Sequence, residues 1–389
     1  MKKKIKVLRI ISSLDPRFGG PSKTIIDSSL DLINEGFEVD ILTHDKKNSK
    51  FTKNKNIKII NKGPGIGNYR FNFKFFFWLL KNRNFYDIFI IHGLWEFNLL
   101  IARFLLKNNY YVFTHGQLDP FFKTQIFKKI KKQVYWFLCE KKNLLFSKSL
   151  LLTSENEKKL LKNTFVDTNN IKKTIIRYGI KKPIFNKEKS LKKFYKKFPQ
   201  LKHKKFFLYL GRFHEKKGCE ILIKSIKKMI DNKLEVYVFL AGPQNKYKDD
   251  LKILSKKYNL SKYLIWSDII LNEMKWGAIL ASNAMVLSSH GENFGVSLVE
   301  SLSCSKPVLT TNKVNIYREI EKFKAGFISN NNVNSFYDIL KKFKNLNKDQ
   351  VAAMNRNSLE CFNKSFNLSS RANSFGKFLI KNYFNTKKN

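Results

Sequence analysis

Short apolar runs alternate along this chain with stretches whose apolar positions recur every three or four residues. Residues 5–13 (IKVLRIISS) predict a buried strand, followed by a Gly-Gly-Pro turn. Residues 22–35 predict a helix with Ile26, Leu30 and Ile33 on one face and Gly36 as its stop. Further strands are expected at 38–43, 86–93, 110–116 and 150–154, with a short helix at 97–107. A second series begins near residue 205. Its strands are 206–211, 235–242, 263–267, 284–289 and 307–311, and its helices are 219–231, 246–258, 271–281 and one from about 296. Near-continuous apolar strands joined by helical crossovers imply parallel sheets covered on both faces. The fold class is therefore α/β, with two doubly wound, Rossmann-like domains. Residues 1–183 form the first and 205–367 the second. The lysine-rich stretch 184–204, without a sustained apolar face, is the expected linker. Residues 368–389 form a terminal helix that packs back toward the first domain and frays at its end.

Composition narrows the picture. Of 389 residues, 43% are hydrophobic, so there is material for a core in each half and no case for a disordered chain. Cys139, Cys219, Cys304 and Cys361 lie far apart and form no C-x-x-C pair. That excludes a disulfide scaffold and a zinc or iron–sulfur motif, and fits a reducing compartment. The N-terminal apolar stretch is interrupted by Arg9 and two serines, so it reads as a strand rather than a signal peptide. No apolar run approaches the about 18 residues of a membrane span. With 75 Lys+Arg against 30 Asp+Glu the net charge is +45. The abundance of Lys, Asn, Ile and Phe is what AT-rich codons produce, yet a cationic surface still attracts nucleotides, phospholipid headgroups or nucleic acid.

The most informative stretch is SSHGENFGVSLVESLSCSKPVLTT, 288–311. Glu292 and Glu300 stand eight positions apart, the first in the loop after a strand and the second about one turn into a helix. Between them Asn293, Phe294, Gly295 and Val296 lead into the helix start. Unpaired amides and the helix dipole favour an anion there, and Gly295 lets it approach closely. Two carboxylates flanking a phosphate suit a nucleotide sugar, each accepting hydrogen bonds from hydroxyls. LYLGRFHEKKG, 208–218, places Arg212 and Lys217 in the loop after the first strand of the second domain. A forked guanidinium and an ammonium are suited to the charge that builds on a departing diphosphate. Lys216 reads as surface. Phe18-Gly19-Gly20-Pro21-Ser22 opens the first helix with Pro21 at its first position, but the spacing is not G-x-G-x-x-G. His92 and His115 both end strands in His-Gly and are candidates to titrate near neutral pH or to hydrogen-bond a reacting sugar.

G-E-N-F-G-V-S-L-V-E-S-L-S-C-S-K-P-V resembles the signature of retaining glycosyltransferases of family 4, also called group 1. The resemblance implies the GT-B fold, two Rossmann-like domains facing across a cleft. It assigns Glu292 to the donor sugar, Glu300 to the ribose, and Arg212 and Lys217 to the diphosphate. It also places Gly19 and Gly20 against the donor diphosphate and acceptor, and His115 at the reaction centre. The catalytic set is thus His115, Glu292, Arg212 and Lys217. Asn293, Phe294, Gly295 and Val296 complete the nucleotide site, and His92 and Trp95 are acceptor-side candidates. Two departures stand out. Ser305 occupies a position where the family has glycine, and Trp266-Ser267-Asp268 replaces an F-x-G-like segment near the base, so the base is left open.

The implied activity is retaining transfer of a sugar from a nucleotide donor to an acceptor hydroxyl, in surface polysaccharide or lipopolysaccharide synthesis. No D-x-D motif lies in a suitable loop, so no metal ligand and no cofactor is expected, the nucleotide sugar being a co-substrate. The expected partners are that donor, a saccharide or lipid-linked acceptor, and an anionic membrane at the inner face of a cytoplasmic location. Residues 120–149 show helical spacing. Phe127, Ile130, Val134, Phe137 and Leu138 are expected to pack on the protein's own sheet, and Lys128, Lys129, Lys131 and Lys132 to face out. Two rival functions are a basic nucleic-acid-binding protein, for which no recognition motif is found, and a glycoside hydrolase using Glu292 and Glu300 as its acid/base pair.

Overall fold

The computed structural model describes residues 4–18, 21–118, 120, 126–165, 167–176, 179–368 and 372–388. The chain divides into two compact units, Met1–Gly179 with Leu368–Asn389, and Ile180–Asn367. In the first unit the strands are β1 (Lys6–Ile11), β2 (Glu38–Thr43), β3 (Lys58–Asn61), β4 (Ile88–His92), β5 (Tyr110–Phe113), β6 (Ser149–Leu152) and β7 (Lys173–Ile175). They form one parallel sheet in the order β3-β2-β1-β4-β5-β6-β7. In the second unit they are β8 (Phe206–Leu210), β9 (Tyr237–Ala241), β10 (Leu264–Ser267), β11 (Ala284–Leu287), β12 (Val308–Thr311) and β13 (Gly326–Ser329). Their order, again parallel, is β10-β9-β8-β11-β12-β13. Each unit is doubly wound. In each, the order reverses beside the first strand, between β1 and β4 and between β8 and β11. The crevice at the carboxyl ends of those two strands is where open α/β sheets take ligands.

The central strands are buried throughout, which is why they are apolar runs and not alternating ones. Arg9 is the exception, only 1% exposed in the middle of β1. The first helix, Pro21–Asn34, presents to the core a face about one position away from the expected one. That helix buries Ile25, Ser29 and Leu32, while Ile26, Leu30 and Ile33 are only half-buried. Pro21 takes its first position, and Gly36, at φ +93°, stops it in the left-handed region.

Three expectations need correction. The stretch 184–204 is not a linker: it contains the helix Lys187–Lys197, which belongs to the second unit. Phe194, Phe198 and Leu201 recur at i, i+4 and i+7 among the lysines and are buried. Phe194 lies 5.3 Å from Phe239 of β9. The helix crosses Asn272–Ala281 so closely that a Cβ on Gly277 would stand 2.2 Å from the Ser190 carbonyl. Secondly, the apolar stripe of 120–149 does not pack on the sheet. Within helix Ile126–Tyr135 and the π-turn Trp136–Glu140, Phe127, Ile130, Val134, Phe137 and Leu138 are 53–89% exposed. The π-turn brings Trp136 and Glu140 inward instead, and Trp136 stacks on Phe165 at 4.3 Å. Thirdly, the last helix runs Ala372–Lys388, through most of the segment expected to fray. Its Phe375 and Leu379 join Val7, Ile88 and Tyr111 in the first unit's core.

Candidate nucleotide-sugar site

Both loops at the second unit's switch point carry predicted residues, and the fold ties them together. After β8 the chain runs through Arg212 to a short turn, Glu215–Lys217, capped by the His214 ring on the Lys216 amide. After β11 it runs through Ser288–Glu292 to the helix Val296–Ser303. The Ser288 hydroxyl donates to the Gly218 carbonyl at 2.6 Å. The Ser289 hydroxyl and the His290 amide both donate to the Lys216 carbonyl, at 2.8 and 2.9 Å. Gly218 is in the left-handed region at φ +60°, and a Cβ there would meet the Ser288 carbonyl at 2.1 Å. The loops can approach this closely only because that position is glycine.

Lys217 reaches across this seam and pairs with Glu292, Nζ to Oε2. Burial alone would raise the Glu292 pKa. The Lys217 charge and hydrogen bond, the Lys216 charge and the Gly295 amide outweigh it and hold the carboxyl below its usual range. The backbone of Glu292 is fixed as well, its amide donating to the Lys313 carbonyl at 3.0 Å and its carbonyl accepting from the Asn315 amide at 2.9 Å. Gly295 is the helix N-cap at φ +67°, and the amides of Val296 and Ser297 follow it at the helix start. The Asn293 side chain accepts from Asn315 at 3.1 Å, and Phe294 is buried with its ring 5.8 Å from Phe366. Glu300 is 4% exposed. Its Oε1 accepts from Lys275 Nζ at 2.7 Å, and that ammonium lies 4.2 Å from the Trp276 ring centre. Arg212 is exposed, and its carbonyl accepts from the Tyr209 hydroxyl at 2.8 Å.

Several contributors were not foreseen from sequence. Lys275 is one. Another is the set that holds the 288–292 loop: His290 donates from Nε2 to Glu220 at 2.8 Å and accepts at Nδ1 from Asn331 at 2.9 Å. The Glu220 carboxyl, which burial would raise, is held low by its bonds to His290 and Tyr247. At the strand ends beside the segment expected near the base, Lys248 is buried. It donates to the carbonyls of Gly242 and Ser267 and to Asp268, at 3.2, 2.9 and 2.9 Å.

In the first unit the two histidines meet. His92 Nδ1 lies 2.9 Å from His115 Nε2. Burial and the Arg9 charge push the His115 pKa down to about 3 and His92 well below its usual value. Both shifts favour the neutral rings, against the expectation of titration near neutral pH. Trp95, at φ +67°, donates its amide to Glu140 at 2.6 Å, and its ring lies 4.6 Å from Lys132 Nζ. Gly19 and Gly20 lie outside the described residues.

The doubly wound pair of units defines a GT-B-type α/β fold, a likeness that extends over the whole chain in solved structures. An Anabaena protein, HepE, in complex with UDP and glucose is 14% identical with a TM-score of 0.76, over 97% of this chain and 100% of that one. WaaG, a glycosyltransferase involved in lipopolysaccharide biosynthesis, is 14% identical with a TM-score of 0.70, over 96% and 99%. Residues 191–359, which hold every site element of the second unit, match the family model for glycosyl transferases group 1. An alpha-1,3/1,6-mannosyltransferase of Dictyostelium discoideum is 25% identical over 162 residues. That match spans 38% of this chain and 39% of the relative's length.

Proposed function

We propose that the chain is a retaining glycosyltransferase that moves a sugar from a nucleotide donor to an acceptor hydroxyl without a metal ion. The observation that carries this is the Lys217–Glu292 pair beside the left-handed Gly295, at the switch point of the unit matched by the family. A diphosphate seated at the start of helix Val296–Ser303 meets free amides, the Lys217 ammonium and the Arg212 guanidinium. Those groups stabilise the charge that appears when the glycosyl bond breaks. Glu292 accepts hydroxyls of the donor sugar, and Glu300, anchored by Lys275, accepts those of the ribose. Among the described residues no group of three or more His, Cys, Asp and Glu is arranged to hold a metal ion. In this reading the clamp cations and the helix dipole do that work. A nucleoside diphosphate sugar is the donor class, and surface polysaccharide or lipopolysaccharide assembly the setting.

The same reading includes a membrane-facing first unit. No described helix is long and apolar enough to cross a bilayer. The exposed Phe127, Ile130, Val134, Phe137 and Leu138 share a segment with the exposed Lys129 and Lys131. Apolar anchors bordered by lysines suit the headgroup layer of an anionic membrane, and with it a lipid-linked acceptor.

Hydrolysis by the carboxylate pair is disfavoured. One carboxyl of such a pair must act as a protonated general acid, whereas both are paired with a lysine, Glu292 with Lys217 and Glu300 with Lys275. The test is a thermal-shift and turnover screen of nucleotide sugars in EDTA, comparing wild type with Arg212→Ala and Glu292→Gln. One donor raises the melting temperature of wild type, both variants lose that response, and the product keeps the donor's anomeric configuration. If no donor shifts wild type, or all three proteins respond alike, the proposal fails.

A further inference from the structure

Ser288, Ser289, Thr310 and Thr311 are fully buried where β11 and β12 leave the second sheet. Alanine or valine would fill the same space without a polar atom, so each hydroxyl is tolerated there only through the bond it makes. β11 pairs with β12 as far as Leu287 and Thr310. At that point the Thr310 hydroxyl donates to the Leu287 carbonyl at 2.8 Å, and one step further Thr311 donates to the Ser289 carbonyl at 2.6 Å. Ser289 in turn donates to the Lys216 carbonyl at 2.8 Å, with the Gly291 carbonyl at 3.0 Å beside it. Ser288 donates to the Gly218 carbonyl at 2.6 Å. The two accepting peptide groups stand one on each side of Lys217. Further along the serine loop, Glu292 takes the Lys217 ammonium.

We propose that Thr311, Ser289 and Ser288 are positioning residues, a relay of hydroxyls that runs from the end of β12 to the backbone on both sides of Lys217 and keeps its ammonium on Glu292. A lysine head sits on a flexible four-carbon stem, so it is placed only as well as the backbone that carries it. The sheet supplies the fixed reference, and the relay transmits it across two loops. Compared with apolar side chains of the same shape, such bonds add little net stability, so their gain is in direction. The relay lies within the second unit. Its consequence for catalysis rests on the glycosyl-transfer reading above; the hold on the Lys217–Glu292 pair does not.

The test sets shape against bonding. Thr311→Val keeps the shape and removes the hydroxyl, whereas Thr311→Ser keeps the hydroxyl and removes a methyl. Ser288→Ala and Ser289→Ala remove the other two bonds. The first readout is the titration of the Glu292 carboxyl, followed by 13C NMR and assigned by its loss in Glu292→Gln. In wild type the Lys217 and Lys216 charges and the Gly295 amide hold that carboxyl low against burial, and Tyr209 of β8 also faces it. Once Lys217 drifts, burial gains weight and the titration moves to higher pH. That shift is expected in Thr311→Val, Ser288→Ala and Ser289→Ala and is absent in Thr311→Ser. The second readout is turnover well below the melting temperature, where kcat falls about 5-fold in each of the three and Thr311→Ser retains most of it. A side chain that only stabilises the fold would leave the titration where it is. An unmoved titration in the folded variants that lack a bond, or Thr311→Ser behaving like Thr311→Val, overturns the proposal. If Thr311→Val does not fold, Ser289→Ala decides the question in the same way. An unchanged kcat in an active variant whose titration has moved overturns the catalytic role. Wild type that transfers to no acceptor, with the stated titrations, would sink the functional reading and leave the relay standing.

Discussion

Replacing Lys275 by methionine isolates the pair that holds Glu300. The carboxylate side chain is 6% exposed and the lysine 16%, with 2.7 Å between their charged atoms. Removing one partner of a buried pair costs about 3–5 kcal/mol, because the remaining charge stays desolvated. Lys275 reaches the surface, so some water follows its removal, and about 3 kcal/mol is the expected loss. Glu300→Gln keeps the shape and leaves an ammonium that can rehydrate, at about 1 kcal/mol. The double variant has no stranded charge. Its cost is about 2 kcal/mol rather than the sum of the singles, a coupling of about 2 kcal/mol. Amide hydrogen exchange, read on peptides covering 272–281 and 296–303, measures this locally without assuming that the two units unfold together. A loss of 3 kcal/mol appears there as roughly 150-fold faster exchange. An effect of Lys275→Met below about 1 kcal/mol, or an additive double variant, would refute the account of Glu300 as a buried, lysine-dependent ligand.

Two further outcomes follow from local electrostatics and backbone shape. Burial raises Glu140 from 4.5 to about 7 despite the Trp95 amide and Asn143. The folded state thus keeps a proton that the unfolded chain releases near 4.5, and it loses stability as pH climbs from there to about 7. Glu140→Gln removes that loss, so its stability relative to wild type rises by up to about 3 kcal/mol between pH 4.5 and 8; parallel denaturation curves across this window would contradict it. Ser305 sits at φ +58° after the helix Val296–Ser303, a strained conformation for a side chain. Ser305→Gly stabilises by about 0.5–1 kcal/mol once the added freedom of the unfolded chain is deducted, and a lower melting temperature would count against this.

What the sequence disclosed follows from how each feature is encoded. The inner strands, such as FFLYL and YVFLA, are apolar at every position because both faces are covered. The edge strands KIIN and GFIS are short and half-exposed, so they carry no such signal. Lysine abundance hid the helix Lys187–Lys197, whose apolar spacing is real but sparse. In residues 126–140 periodicity identified the helix and misassigned its buried side. A π-turn changes which residues face inward, and that shift is not written in a 3.6-residue pattern. Glu292 and Glu300 were legible because they share one loop and helix. Lys275 comes from another helix and is one cation among 75 Lys+Arg. Arg9 was read only as an interruption of an apolar run. Its meaning depends on His92, which is 83 positions away in sequence and its neighbour across β1 and β4.

The two lysine pairs explain how carboxylates can belong to the proposed diphosphate site at all. Two uncompensated carboxylates beside a diphosphate would repel it, and in a partly dry crevice that repulsion is weakly screened. Lys217 and Lys275 each cancel one. In the proposed reading, the Arg212 guanidinium, the Lys216 charge and the positive end of helix Val296–Ser303 are the charges that discriminate a diphosphate from a neutral sugar. The net charge of +45 acts at longer range and is screened by salt. It raises the local concentration of any anion without selecting one. Selectivity in the proposed reaction therefore rests on the local pairs, and donor affinity should survive at salt concentrations that abolish non-specific binding of polyanions.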